Sequence, residues 1–193
     1  MSVKHHNLKG IVTATVLFAA ICQPLTAQTA DSGAGKSDES ALLSALSEAG
    51  PEEAPRLERQ LQALWNKSGS AAMDLLLKRG REALESGDTD VAIAHLTALT
   101  DHAPDFAEGW HLRASAYFEA GLYGPAVADL EHALALNPNN YGAIFGLGTL
   151  LEGFGDTENA YRAYQRAQVL HPHHEDVIKA LERLKPEIEG KAL

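Results

Sequence analysis

Apolar residues recur at every third or fourth position along most of this 193-residue chain. In one stretch they fall at Trp110, Ala114 and Tyr117, and after a short break at Ala126 and Leu130. This spacing gives each of two successive helices one apolar face. Alanine and leucine, which are strong helix formers, are abundant throughout. We therefore predict an all-α fold built from pairs of amphipathic helices.

A period of 34 residues organises the second half of the chain, because Pro104, Pro138 and Pro172 follow one another at that interval. The same interval relates columns of glycine, small and large apolar residues: Gly87/Gly121/Gly155, Ala92/Ala126/Ala160, Gly80/Ala114/Gly148, Leu76/Trp110/Ile144 and Leu96/Leu130/Tyr164. A glycine can end the first helix of a pair in a left-handed conformation, and a proline stops the second helix. Small residues allow the two helices to approach closely. The sequence thus contains three equal units, 73–106, 107–140 and 141–174.

These units resemble the tetratricopeptide repeat, a family with this repeat length and residue pattern. The first unit departs from the family pattern at Ala83, where an aromatic residue is usual, and at Leu99, where a small residue is common. The resemblance implies a right-handed superhelix, an α-solenoid of stacked antiparallel helix pairs, whose first helices line a concave groove. The second unit matches best, through Trp110, Ala114, Tyr117, Ala126, Leu130, Ala133 and Pro138.

Two helical segments flank the repeats. Residues 41–68 predict a helix pair, which is either an N-terminal cap or a degenerate repeat, because no 34-residue register connects it to the other units. Residues 175–186 predict the polar-faced capping helix that a solenoid requires, ended by Pro186. Residues 187–193 predict a disordered tail.

The first 27 residues have the pattern of a secretory signal peptide. Lys4 and Lys9 precede an apolar run over 11–21, and Ala27 supplies a small residue at the exit, so we expect cleavage after Ala27. A retained membrane anchor is the alternative, although an anchor needs about 20 apolar residues. Residues 28–40 are rich in Ser, Gly and Asp and predict a disordered linker. We expect a periplasmic or secreted protein, with no stable membrane insertion of the mature chain.

Charge restricts the class of partner. The chain has 16 Lys+Arg and 26 Asp+Glu, a net charge of −10, and removal of residues 1–27 would leave 14 basic against 26 acidic residues, or −12. Nucleic acids and anionic membranes require a basic surface, so this balance excludes them. Between Ser86 and Tyr161 there are 11 acidic residues and one basic residue, Arg113. We therefore predict a protein or peptide partner that is apolar with basic flanks.

The resemblance also implies a peptide groove at defined positions of each repeat. For Leu77, Phe118 and Phe145, burial against a neighbouring helix is the alternative, because apolar residues at helical spacing are usually core. Some family members grip a carboxylate tail with a clamp of Lys, Arg and Asn, but only Lys78 and Arg81 lie near that pattern, so no clamp is predicted. The groove positions are Asp74, Leu77, Arg81, Leu84 and Glu85, then Glu108, His111, Ser115, Phe118 and Glu119, then Phe145, Thr149 and Glu152.

One arginine of the second unit lies at a position that packs. Arg113 needs an acidic partner if it is partly buried, and Asp129 on the next helix predicts a structural ion pair. Arg79 occupies the same column of the first unit, where His95 stands in place of the acid. Arg79 is therefore a candidate for a functional role.

Candidate chemistry elsewhere is sparse. His171, His173 and His174 are weak candidates for metal ligands, since imidazoles bind transition metals only where they converge. No nucleophile, phosphate-binding or metalloprotease motif occurs, so we expect neither catalysis nor a cofactor. The leading hypothesis is a non-enzymatic protein- or peptide-binding scaffold or adaptor of the periplasm or cell envelope. The alternative is a metal- or haem-related envelope assembly factor that uses the histidine cluster.

Overall fold

A computed structural model describes residues 31–191, except for the side chains of 31–34, 36 and 191. The predicted signal peptide 1–27 and the ends of the predicted linker and tail, 28–30 and 192–193, lie outside the described residues. The described range forms antiparallel α-helices, which confirms the all-α solenoid. They are α1 (Asp31–Glu48), α2 (Ala54–Trp65), α3 (Ala71–Glu85), α4 (Thr89–His102), α5 (Ala107–Glu119), α6 (Tyr123–Leu136), α7 (Tyr141–Gly153), α8 (Thr157–Leu170) and α9 (Glu175–Lys191).

The three 34-residue units are the pairs α3–α4, α5–α6 and α7–α8. Each pair turns at a glycine in the left-handed region, with φ of 77° at Gly87, 73° at Gly121 and 80° at Gly155. At the first turn, Gly87 N–H donates to the carbonyl of Leu84 (2.9 Å), which satisfies a free carbonyl at the end of α3. The glycine column of the sequence is therefore a conformational requirement.

The small-residue column marks close contact between paired helices. A Cβ at Gly80 would lie 2.5 Å from Leu96 Cγ, and a Cβ at Gly148 would lie 2.6 Å from Tyr164 Cε1. Both distances are far below van der Waals contact, so a side chain at either position would force Leu96 or Tyr164 to move. The third column member, Ala114, is 1% exposed.

The helix pair α1–α2 lies against the third repeat and α9. Leu46 and Leu61 are buried in one cluster with Tyr141, Ile144 and Tyr164. A polar contact reinforces this packing, in which His173 Nε2 lies 3.0 Å from the carbonyl oxygen of Ala49. The pair therefore caps the side of the third repeat.

Helix α1 begins at Asp31, so the prediction of a disordered linker over 28–40 is wrong from residue 31 onward. The indole Nε1 of Trp65 donates to Glu39 Oε1 (2.7 Å), and the Trp65 ring lies 5.4 Å from that of Tyr141. These tertiary contacts hold a segment whose Gly and Ser content disfavours a helix.

Helix α9 continues to Lys191, so the predicted end at Pro186 and the disordered tail from 187 are wrong over 187–191. Leu184, 2% exposed, fixes the helix before the proline. Lys185 and Glu189 form an i,i+4 ion pair (3.8 Å) that spans it. A proline removes one N–H donor, and the exposed side of the last turns tolerates that loss.

The solenoid has two edges. We call the edge formed by the connections 103–106, 137–140 and 171–174 the closed edge, because α1 and α2 lie beside the last two of them. The turns within the repeats, 86–88, 120–122 and 154–156, form the open edge. Within the described residues no helix is both long and apolar enough to cross a membrane.

Candidate binding groove

A groove of 420 Å³ lies between α5, α7 and the start of α9. Phe118 and Phe145 provide its aromatic walls, and Leu130 and Leu150 lie beneath them. Helix α7 contributes Gly142 and Gly146, and space remains above Gly146, where a Cβ would lie no closer than 3.5 Å to Leu130. An apolar concave surface of this kind suits side chains of a polypeptide or small apolar groups.

Six of the predicted groove residues line this groove together. Ser115 and Thr149 donate their hydroxyls to the carbonyls of His111 (3.3 Å) and Phe145 (3.1 Å) in the preceding turn. Phe118 is 40% exposed, whereas Phe145 is partly buried against Tyr164. The six are His111, Ser115, Phe118, Glu119, Phe145 and Thr149.

Two predicted groove residues instead belong to a polar cluster beneath the end of α2. Arg81 Nη2 donates to Asn66 Oδ1 (2.8 Å), and its guanidinium lies 3.6 Å from Glu108 Oε1. Glu108 also accepts from Asn140 Nδ2 (3.2 Å) and contacts His111 Nδ1 (3.2 Å). Arg81 and Glu108 therefore lie outside the 420 Å³ groove and line a neighbouring 280 Å³ pocket, which shares His111 and Gly142 with it, so their role in ligand binding stays a prediction.

Leu77 is wrong as a groove residue, since it is 2% exposed within the core of the first repeat beside Leu96. Asp74 accepts from the backbone N–H and hydroxyl of Ser68 (2.8 and 2.6 Å), so it fixes the loop before α3. Leu84 packs on the same core, and Glu85 is exposed, but neither lines the groove.

Glu152 is likewise absent from the groove lining. Arg183 donates to both its carboxylate oxygens (3.0 and 2.8 Å), and these bonds hold the pKa of Glu152 below its usual range. Tyr164 OH also donates to Glu152 (2.8 Å), while burial raises the pKa of Tyr164 to about 12. This acid therefore joins α7, α8 and α9 rather than meeting a ligand.

Some lining residues were not expected in the groove, because only the tertiary arrangement brings them there. Gly146 and Leu150 lie one helical turn apart on α7, His174 comes from the connection before α9, and Asp176 lies in the first turn of α9. The stack of His174 on Phe145, with ring centroids 5.6 Å apart, closes that end of the groove. The unusual glycine content of α7 was the one available sequence signal.

Arg113 and Asp129 form a two-point ion pair between α5 and α6. Arg113 Nε lies 2.6 Å from Asp129 Oδ2 and Nη2 lies 2.9 Å from Oδ1, and this pairing raises the pKa of Arg113. A third donor reaches Thr100 Oγ1 (2.7 Å), so the pair connects the first two repeats. Arg79, by contrast, is exposed to solvent, so its charge needs no buried partner. Its functional role stays a prediction.

The three histidines of the last connection surround the base of α2. His171 is 3% exposed, with Nε2 3.5 Å from Glu58 Oε2, and burial lowers its pKa. His171 and His174 lie ring to ring at 5.3 Å, but His173 is directed to the carbonyl of Ala49. Among the residues described, no group of three or more His, Cys, Asp or Glu has the geometry to hold a metal ion.

Solved structures resemble this arrangement of helices. The first TPR domain of Spaghetti (RPAP3), bound to the HSP90 peptide SRMEEVD, aligns with 62% of this chain and 95% of its own, at 26% identity and a TM-score of 0.59. An O-GlcNAc transferase of Thermobaculum terrenum aligns with 59% of this chain but only 22% of its own, at 29% identity and a TM-score of 0.57. Both are similar through their helical repeats.

Comparison of the sequence with known proteins also finds helical-repeat proteins. A TPR repeat-containing protein of Rhizobium etli is 28% identical over 140 residues, which are 72% of this chain and 69% of the relative. Mouse superkiller complex protein 3 is 36% identical over 108 residues, but these are only 6% of its length. The family model described as tetratricopeptide repeat matches residues 77–128 and 111–175, and so spans just over half of the chain. The 34-residue register, the glycine turns and these matches together establish that the chain belongs to the tetratricopeptide repeat family.

Proposed function

We propose that this chain is a non-enzymatic scaffold that binds a protein or peptide segment in the groove between α5, α7 and α9. The observation that carries the proposal is the open apolar surface of Phe118, Phe145 and Gly146. Its polar neighbours, such as Ser115 and Thr149, are hydroxyls bonded to backbone carbonyls rather than an acid, base and nucleophile in mutual contact. A site of this composition acts by binding.

The charge of the groove favours an apolar partner with basic flanks. Glu119 and Asp176 line it, and the lining residues described include neither Lys nor Arg. The peptide SRMEEVD bound by the Spaghetti domain has three acidic residues and one arginine, a net negative charge. Carboxylates of that kind would meet like charges here, so the partner of this chain should have the opposite sign.

We further propose that the scaffold acts in the periplasm or cell envelope. The basis is the sequence pattern of residues 1–27, in which Lys4 and Lys9 precede an apolar run and Ala27 follows it. N-terminal sequencing of the exported protein should give Gln28 as the first residue. A first residue of Met1 would support the retained anchor instead.

Selection from a displayed library of random peptides of about 12 residues, which extend to roughly 40 Å, tests the function. Wild-type chain should enrich peptides that combine Lys or Arg with large apolar residues. Gly146→Leu fills the groove, because a Cβ at Gly146 meets Leu130 at an ordinary 3.5 Å and the longer side chain extends into the open space. We expect at least tenfold weaker binding of the selected peptides to this variant.

Val91→Thr is the matched control, because Val91 is 49% exposed on α4, away from the groove. It should bind the selected peptides as the wild type does. The proposal fails if no peptide is enriched, or if Gly146→Leu retains wild-type affinity while circular dichroism shows it folded.

A further inference from the structure

An aromatic patch on the open edge continues the groove. Phe118 lines the groove and its ring lies 5.6 Å from that of Tyr123, which in turn lies 6.3 Å from Phe154. Leu122 stands beside Tyr123 in the same turn. These four residues, which we call the edge patch, are exposed by 40% at Phe118, 47% at Leu122, 46% at Tyr123 and 58% at Phe154. Contiguous exposed apolar groups are uncommon on monomeric proteins and mark interaction sites.

The second repeat departs from its neighbours at this patch. Residue 122 is the N-cap of α6, and the equivalent residues of α4 and α8 are Asp88 and Asp156. Asp156 Oδ1 accepts from the backbone N–H of Asn159 (3.3 Å), as a favoured N-cap residue does, whereas Asp88 makes no such bond. Leu122 cannot accept a hydrogen bond, so the second repeat has an apolar surface residue where a polar one would stabilise its helix.

Glu119 lies between the groove and the edge patch. It lines the groove, follows Phe118 in α5 and is exposed, and among the described residues its carboxylate meets no basic group. Glu85, one repeat earlier in the same column, is also exposed. Between Ala114 and Tyr161 the sequence has six acidic residues and no Lys or Arg. A second copy of this chain would bring like charges to the patch, whereas a cationic partner would complement them.

We propose that the edge patch is the second half of the binding site, and that it takes the flank of a cationic, apolar polypeptide segment that leaves the groove at Phe118 and crosses the open edge over Tyr123 and Phe154. This inference rests on the proposed function of the groove. One apolar side chain of the partner occupies the groove beside Phe145, and a second lies against Leu122 and Tyr123. A Lys or Arg between them meets Glu119.

The test uses a variant that copies the neighbouring repeats. Leu122→Asp with Tyr123→Thr gives the second repeat the Asp-Thr pair present at Asp88-Thr89 and Asp156-Thr157. Because the change restores an N-cap residue, the midpoint of thermal unfolding should stay the same or rise. Calorimetric titration with the peptides selected on wild-type chain should nevertheless show at least tenfold weaker binding.

Two further variants keep the inference falsifiable. Phe154→Ala removes the far end of the patch, which no core contact requires, and should weaken binding several-fold. Glu119→Lys should weaken binding by at least tenfold and reverse the preference of the library from basic to acidic peptides. Val91→Thr again serves as the control, with unchanged affinity.

The outcomes separate this inference from the function of the groove. If the Asp-Thr variant binds like wild type while Gly146→Leu does not, the edge patch is not part of the site but the groove function stands. If Gly146→Leu binds like wild type, the groove function itself is wrong. If sedimentation shows a wild-type dimer that the Asp-Thr variant abolishes, the patch is a self-association surface and the cationic partner is excluded.

Discussion

The two edges of the solenoid differ in whether helices of the chain cover their aromatic residues. On the closed edge, α1 and α2 cover His171 and Tyr141, although Leu136 and Val169 remain exposed beside α1. On the open edge, Leu122, Tyr123 and Phe154 are left exposed at the turns of the second and third repeats. The difference teaches that the chain covers aromatic rings of one edge with its own helices and leaves those of the other edge exposed.

The largest contrast is expected from leucines on the two edges. Leu61 is fully buried where α2 joins the third repeat. Leu61→Ala should lower the free energy of unfolding by about 2–5 kcal/mol, because a cavity remains. Leu122→Ala on the open edge should change it by less than about 0.5 kcal/mol. Urea denaturation measures both. Equal losses would show that the closed edge is no better packed than the open one.

Two glycines of α7 sharpen the contrast between core and groove. Gly148→Ala should destabilise the fold by roughly 1–3 kcal/mol, because its Cβ would lie 2.6 Å from the buried Tyr164 ring. Gly146→Ala faces the groove with its nearest contact at 3.5 Å, so it should stabilise α7 by about 0.5–1 kcal/mol. Thermal and urea unfolding of the two variants check the signs. A destabilising Gly146→Ala would mean that the groove is filled in the free protein.

The closed edge should also make stability depend on pH. Burial lowers the pKa of His171 below its ordinary 6.5, although Glu58 opposes the shift. The unfolded chain therefore takes up a proton at a higher pH than the folded chain does. The contribution of His171 to the free energy of unfolding is complete above about pH 6.5, and it decreases as the pH falls toward the lowered pKa of the folded state.

Unfolding free energy measured between pH 7.5 and 5, a range of roughly one to two units around the histidine pKa, should therefore fall toward acid. His171→Leu should flatten this dependence. The exposed His102 offers the matched control, because His102→Leu should leave the slope unchanged. His173 and His174 lie beside His171, and positive charge on them lowers the pKa of His171 further. An unaltered slope in His171→Leu would contradict the assignment.

A small gain in stability is expected when the open edge is given the residues of the neighbouring repeats. Leu122→Asp with Tyr123→Thr should raise the unfolding free energy by up to about 1 kcal/mol, because α6 gains an N-cap. Differential scanning calorimetry against wild type measures it. A loss of more than about 1 kcal/mol would mean that these side chains pack in the fold rather than serve a partner.

The repeats could be predicted from sequence because their determinants are local. Gly87, Gly121 and Gly155 are needed at each turn, and the pairing of Arg113 with Asp129 follows from their places on adjacent helices. The groove was predicted in part, since helical spacing brings Phe118 to the right face but cannot separate it from a core position such as Leu77.

The position of α1–α2 could not be predicted, because it depends on contacts between distant segments. Trp65 meets Tyr141, and Ala49 meets His173, with no local pattern to indicate either contact. The helical state of residues 31–40 follows from the same contacts, through Glu39 and Trp65. The edge patch could not be predicted from helical spacing, because Leu122, Tyr123 and Phe154 lie at turns of two repeats and come together only in the folded chain.

Amide hydrogen exchange of the full chain, with and without a saturating library-selected peptide, tests the central claim most directly. Binding at the groove and the edge patch predicts slower exchange in α5, α7 and the turn 120–123, with α1 and α2 unchanged. Protection confined to α1, α2 and the connection 171–174 would contradict the account, because it would place the partner on the edge that the chain has already closed.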